Sequence, residues 1–185
     1  MQQLHPRIRR IPAGEEPLSA DVFIIEGDAR CYVFDVGAND EAYAAISALE
    51  KPVWVILSHF HRDHIGNMAR LAPEKVLAGA RTCKYVPGAT QLDAPLTIRD
   101  GVELTLCPCV SPHAPGCLIL TVDGTDTLIG DLHYARLGTG QGEAKGMLNV
   151  LKQVETRWFV PSHQDGDPRV EKPALLQDIR DYFGI

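Results

Sequence analysis

Residues 59–64 read His-Phe-His-Arg-Asp-His, directly after the apolar run Val-Trp-Val-Ile-Leu at 53–57. That run is rich in β-branched and aromatic residues and follows Pro52, which predicts a buried strand over 53–58. On extended backbone His59 and His61 point to the same side, and a turn into a helix brings Asp63 and His64 round beside them. Three clustered imidazoles each need a hydrogen-bond partner when buried, and one cation satisfies them together. With 7 His and 14 Asp among 185 residues, a His-x-His-x-Asp-His pattern arises by chance in about one such chain in a thousand. The competing reading is a solvated polar turn. Four ligand-type side chains at one strand end favour a metal site.

Short β-branched and aromatic runs recur along the chain, at 22–26, 30–36, 53–58, 75–77, 102–107, 117–122, 127–130 and 157–161, each bounded by Gly, Pro, Asp or Asn. Helical patterns lie between them. Residues 40–49 are Ala-rich, with Asn39 or Asp40 as cap. Residues 63–71, 143–155 and 172–183 place apolar side chains at helical spacing, and Pro173 falls in the first turn of the last. This order predicts an α/β (α+β) architecture in which two mixed sheets pack face to face under outer helices. No linker or low-complexity segment divides the chain, so one domain over residues 1–185 is expected.

A formal charge of −6 leaves no basic footprint for nucleic acid, and a small-molecule substrate is the expected partner. The five cysteines, at 31, 83, 107, 109 and 117, are odd in number and irregularly spaced, which predicts reduced thiols and a cytoplasmic protein. No apolar stretch follows the basic N-terminal residues as in a secretory signal, and the longest apolar runs are strand-sized, so no membrane partner is expected. Nothing in the sequence sets an oligomeric state.

Three further candidates stand at predicted strand ends. His113 lies in the turn Ser-Pro-His-Ala-Pro-Gly at 111–116, Asp131 follows Gly130, and His163 follows Pro161-Ser162. Singly each is weak. Together with the first cluster they make five His and two Asp, without Cys. A structural zinc site prefers four ligands, usually including Cys. If Asp131 bridges, two ions share it with three other ligands each, which leaves room for water as catalytic sites do. Zinc is the first expectation for an imidazole-rich set, with iron or manganese as alternatives.

The motifs HFHRDH at 59–64, HAPG at 113–116, GD at 130–131 and PSH at 161–163, in that order, resemble those of the metallo-β-lactamase superfamily. Phe34-Asp35-Val36-Gly37 is similar to that family's Asp-x-Gly near the first hairpin. The resemblance implies a four-layer αββα sandwich with its site along one edge of the two sheets. It implies one divalent metal on His59, His61 and His113 and a second on Asp63, His64 and His163, with Asp131 between. The full set resembles the glyoxalase II and lactonase branches.

That resemblance implies a dinuclear, zinc-type metallohydrolase in which a hydroxide bridging the metals attacks a small ester, thioester, lactone or related carbonyl. Asp63 would orient it, and Asp35 would fix a ligand histidine. Tyr134 matches the spacing of a lactonase tyrosine that meets the substrate carbonyl, with simple packing as the competing reading. The alternatives are an iron-dependent oxidoreductase of the same fold, similar to persulfide dioxygenases, or a phosphodiesterase. Di-iron relatives carry Glu where this chain has His61. The chain ends 22 residues after His163, which argues against the helical glutathione-binding region of glyoxalase II. Asn67, Ser162 and Cys117 depart from the family pattern without removing a ligand. The glycine-rich stretch at 137–142 is expected to be a mobile loop flanking the site. Cys107 and Cys109 are read as small core hydrophobes, and His133 as a solvated loop residue.

Overall fold

The computed structural model describes residues 1–135 and 140–185. Positions 137–139 of the glycine-rich stretch lie outside the described residues, and 140–142 lead into a helix. The first part of the chain forms β1 (Gln2–His5), β2 (Ile8–Ile11), a small hairpin of β3 (Gly14–Glu15) and β4 (Leu18–Ser19), then β5 (Val22–Glu26) and β6 (Cys31–Phe34). Helix α1 (Asp40–Ser47), β7 (Val53–Leu57), the one-turn helix α2 (Arg62–Ile65), β8 (Lys75–Ala78) and β9 (Thr90–Gln91) follow. Next come β10 (Leu96–Arg99), β11 (Glu103–Cys109), β12 (Cys117–Val122), β13 (Asp126–Gly130), α3 (Gln141–Gln153), β14 (Trp158–Pro161), β15 (Val170–Glu171) and α4 (Lys172–Phe183).

The larger strands build two mixed sheets. One has the order β1-β2-β5-β6-β7-β8-β9 and is parallel from β6 to β9. The other runs β10-β11-β12-β13-β14-β15, with β13 and β14 its parallel pair. Alternation of side chains along each strand divides the core among three interfaces. Phe23, Ile25, Phe34, Ile56 and Leu77 meet Leu104, Leu118, Leu120, Leu128 and Val160 between the sheets. Ile24, Val33, Val55 and Leu57 face the other way, onto Ala42 and Ile46 of α1. Ile119, Ile129 and Phe159 pack on Met147, Leu151, Leu175 and Ile179 of α3 and α4. The layers are therefore helix, sheet, sheet, helix, as the alternating pattern predicts.

Most expected elements appear within a few residues. Asn39 caps α1, its Oδ1 accepting from the Ala42 amide at 2.9 Å. The helix expected over 63–71 is shorter: it tightens to 3-10 geometry over Gly66–Arg70. Gly66 packs so close to Ala38 that an added Cβ would stand 2.7 Å from the Ala38 Cβ. The N-terminal strands β1 and β2 were not expected. In Ile8-Arg9-Arg10-Ile11 two arginines mask the strand pattern, yet Arg10 is only 1% exposed because Asp21 pairs with it. Among the described residues no helix is long and apolar enough to cross a membrane.

The parallel pairs matter for the site. β6 and β7 end beside one another, and so do β13 and β14. Gly130, at the end of β13, has φ +54°, and a Cβ there would meet the Ser58 Oγ at 2.8 Å. A glycine before Asp131 thus lets the two sheets close on each other at this edge.

Candidate metal centre

All seven sequence-derived ligand candidates converge at this edge. They fall into two groups, His59 with His61 and His113, and Asp63 with His64, Asp131 and His163, whose ligand-type atoms lie within 4.8 Å of one another in each group. His59 and His61 leave the end of β7, and His113 comes from the β11–β12 turn. That turn is held by Ser111, whose Oγ donates to the Leu132 carbonyl at 2.6 Å and accepts from the His113 amide at 3.0 Å. Asp131 follows β13 and His163 follows β14.

Hydrogen bonds around the cluster fix the Nδ1 proton of three of the rings. The Tyr134 carbonyl can only accept, so His113 Nδ1, 2.7 Å away, carries the proton. The Asp35 carboxylate accepts from His64 Nδ1 at 2.7 Å and from the Ser58 hydroxyl at 2.6 Å. With its proton committed, Ser58 Oγ accepts from His59 Nδ1 at 3.0 Å. In all three rings Nδ1 is therefore the protonated nitrogen, and each Nε2 faces the cluster. His113 Nε2 lies 3.2 Å from His59 Nε2 and 2.9 Å from His61 Nδ1. Imidazole nitrogens converging at such distances suit a cation between them.

In the second group, Asp131 Oδ2 lies 3.2 Å from His64 Nε2, 3.6 Å from His163 Nε2 and 3.6 Å from His113 Nε2. One carboxylate oxygen thus approaches rings of both groups. His163 Nε2 stands 3.1 Å from Asp63 Oδ2. Among the described residues, His64 Nε2 and Asp131 Oδ1 are buried without a hydrogen-bond partner, which an internal polar atom tolerates only at substantial cost. The donor set of five imidazoles and two carboxylates, with these orphaned atoms, fits divalent metal.

Burial pushes His59 strongly toward its neutral form and lowers His61 as well, with neighbouring imidazoles adding to the effect. Burial also opposes charge on His64, but Asp35 and Asp131 outweigh it and raise its pKa to about 10. Burial works against ionised Asp63 and Asp131 too. The His163 hydrogen bond and His64 hold Asp63 below its ordinary value, and His64 does the same for Asp131.

Tyr134 is half-buried, and its hydroxyl donates to the Ser162 carbonyl at 3.0 Å. His133 is not the solvated residue expected: burial lowers its pKa to about 4, and its Nδ1 lacks a partner among the described residues. Cys109 and Cys117 are buried, and that burial pushes both thiols up to about 12, so they pack as apolar groups. Asn67 is buried and donates to the carbonyls of Val36 and Asn39 at 3.0 and 2.9 Å. Ser58, Arg10 and Asp21 support the site without having been singled out in the sequence. Only Ser58, next to His59, carried a local signal. A cavity of about 380 Å³ opens beside His163, lined in part by Arg10, Glu15, Leu18 and Gln164. A hollow of about 540 Å³ between α1 and β7 touches none of the cluster.

Fold and cluster together define a metallo-β-lactamase-like αββα protein whose His/Asp side chains fit a dinuclear centre. Residues 16–81 match the family model described as the metallo-beta-lactamase superfamily. Among solved structures, a metallo-beta-lactamase from Pontibacter korlensis superposes with TM-score 0.72 at 16% identity, covering 96% of this chain and 98% of that one. The stereoselective inverting sec-alkylsulfatase Pisa1 from Pseudomonas sp. gives TM-score 0.75 at 18% identity over 97% of this chain, which spans 40% of the sulfatase. A flavo di-iron protein variant from Thermotoga maritima gives TM-score 0.70 at 11% identity, over 94% of this chain and 60% of that one. Curated proteins give no match. The family model thus covers the part of the chain that carries HFHRDH, the fold likeness extends over nearly the whole chain, and these neighbours differ in chemistry.

Proposed function

We propose that the chain is a metal-dependent hydrolase of a small ester, thioester, lactone or related carbonyl compound. The observation that carries the reading is the place of Asp131 Oδ2, within 3.6 Å of ring nitrogens from both ligand groups. His59, His61 and His113 would hold one divalent ion and Asp63, His64 and His163 the other, with Asp131 shared; zinc is the first expectation for such donors. Bound there, such ions lower the pKa of water and polarise a carbonyl oxygen.

The chain's own groups supply the rest. Asp63 is kept ionised by its histidine neighbours, so it can accept a hydrogen bond from an incoming water and orient it. Asp35 fixes the His64 ring directly and the His59 ring through Ser58, the kind of outer support that sets ligand orientation. Tyr134 would meet a substrate carbonyl only by giving up its bond to Ser162. The cavity of about 380 Å³ beside His163 suits a small molecule.

Likeness to a flavo di-iron protein favours, as a second reading, an iron-dependent oxidoreductase on the same scaffold. Metal analysis of protein purified without added zinc separates the two. Two zinc equivalents, followed by turnover in a panel of ester, thioester, lactone and β-lactam substrates, is the expected result. Protein that holds no transition metal and cannot be reconstituted would overturn the proposal, and tight iron with oxygen consumption would move it to the second reading.

A further inference from the structure

The buried pair of Arg10 and Asp21 belongs to neither ligand group, yet it grips the segment that carries His163. Arg10 Nε donates to Asp21 Oδ1 at 2.7 Å, and the two side chains are 1% and 0% exposed. Asp21 Oδ2 accepts from the His163 amide at 2.8 Å, and the Asp21 amide donates to Ser162 Oγ at 3.0 Å. The Arg10 guanidinium donates to the Gly166 carbonyl at 2.8 Å and to the Gln164 carbonyl. Four positions from 162 to 166 are thus tied to one ion pair, made by Arg10 of β2 and Asp21 just before β5.

His163 has φ +58°, a left-handed conformation that a residue with a β-carbon seldom adopts without outside support. In that conformation its Nε2 stands 3.1 Å from Asp63 Oδ2. The first group has no such grip: His59 and His113 are fixed by Ser58 and by the Tyr134 carbonyl.

We propose that Arg10 and Asp21 are positioning residues for His163, and that they complete the second ligand group while leaving the first independent of them. This rests on the two-metal reading above. Without the pair, the 162–166 segment relaxes from its left-handed turn and His163 swings away from Asp63. His59, His61 and His113 stay where β7 and the β11–β12 turn place them.

The test is a titration of the metal-free full chain with Co²⁺, followed by calorimetry and by visible absorption. The wild type is expected to take two equivalents. Asp21→Asn, which keeps the side chain's shape and removes its charge, is expected to keep one equivalent at unchanged affinity. Its second equivalent should weaken by about 10–100-fold, the usual effect of losing an outer-shell partner. The absorption of its half-loaded form should match that of His163→Ala. Two equivalents at unchanged affinity, or an equal loss from both, would overturn the proposal, the latter by marking the pair as general scaffolding. Hydrogen exchange at the His163 amide of the metal-free wild type provides a measurement that needs no variant. Strong protection is expected, and exchange at the rate of an open loop overturns the proposal even if Asp21→Asn fails to fold. If the wild type binds no metal, the two-metal reading fails, and the His163 amide alone decides whether the pair positions its segment.

Discussion

The two ligand groups share an edge of the sandwich and differ in almost everything else. His59, His61 and His113 carry no carboxylate, and burial keeps His59 and His61 toward their neutral forms. Their supports are uncharged groups, the Ser58 hydroxyl and the Tyr134 carbonyl. The second group contains two carboxylates, with His64 held up to about pKa 10 between Asp35 and Asp131. Its last member, His163, comes from a residue 100 positions away from Asp63 and is held by a buried ion pair. Both groups thus draw on distant parts of the chain, the first with imidazoles alone and the second with carboxylates and an ion pair among them. Among the described residues, Asp131 carries a carboxylate oxygen within 3.6 Å of ring nitrogens from both groups.

The largest effect is expected where the groups join. Asp131→Ala should abolish activity, a loss exceeding the ~10–100-fold typical of outer-shell changes, and should lower metal content in both groups. Metal analysis by mass spectrometry checks it, and a fully active variant would contradict the bridging role. Next comes Arg10→Met, which leaves the Asp21 charge buried and unpaired. Breaking such a pair costs about 3–5 kcal/mol, measurable as a lower urea midpoint; a loss under about 1 kcal/mol would show the pair to be energetically idle.

Asp35→Asn sharpens the contrast, because Asp35 reaches both groups but touches only His64 directly. A chelator competition should read a ~10–100-fold loss at the second group and a smaller one at the first. The gentlest probe is pH. Raised above its ordinary value, His64 holds a proton below about pH 10 in the metal-free protein, and an entering metal must displace it. Affinity at the second group should therefore rise by up to about tenfold per pH unit between 6 and 8. The first group, whose lowered His59 and His61 are already neutral there, should stay nearly flat. Calorimetry in buffers of different ionisation enthalpy reads the released proton, and equal slopes at both groups would break the distinction.

The same contrast explains what was legible in the sequence. HFHRDH announced itself because strand and turn geometry alone bring its side chains together. His113, Asp131 and His163 each followed a recognisable strand, so their chemistry and position were visible, while their convergence was implied by the family resemblance and not by any local pattern. The packed sheets under outer helices followed from the order of strand and helix patterns, and the four-layer form from the family resemblance; Cys117–Val122, whose six residues are all buried, lies at the centre of that packing. Arg10 and Asp21 were invisible for the opposite reason. Charged residues at strand positions read as solvent-facing, and only the folded chain shows that each cancels the other while their spare hydrogen-bonding groups reach the His163 segment. β1, β2 and the two-residue strands were missed on similar grounds, since their pairing depends on tertiary contacts more than on local propensity.

Ser58 has one more consequence. Its carbonyl accepts from the Leu118 amide of the opposite sheet at 2.8 Å, its side chain lies against Gly130, and its hydroxyl connects Asp35 to His59. A single small residue is therefore both the rivet between the sheets and a relay in the proton inventory of the cluster. Any slip of one sheet against the other would pull on that rivet first. The spacing of the sandwich is in this way tied to which nitrogen of His59 is left bare.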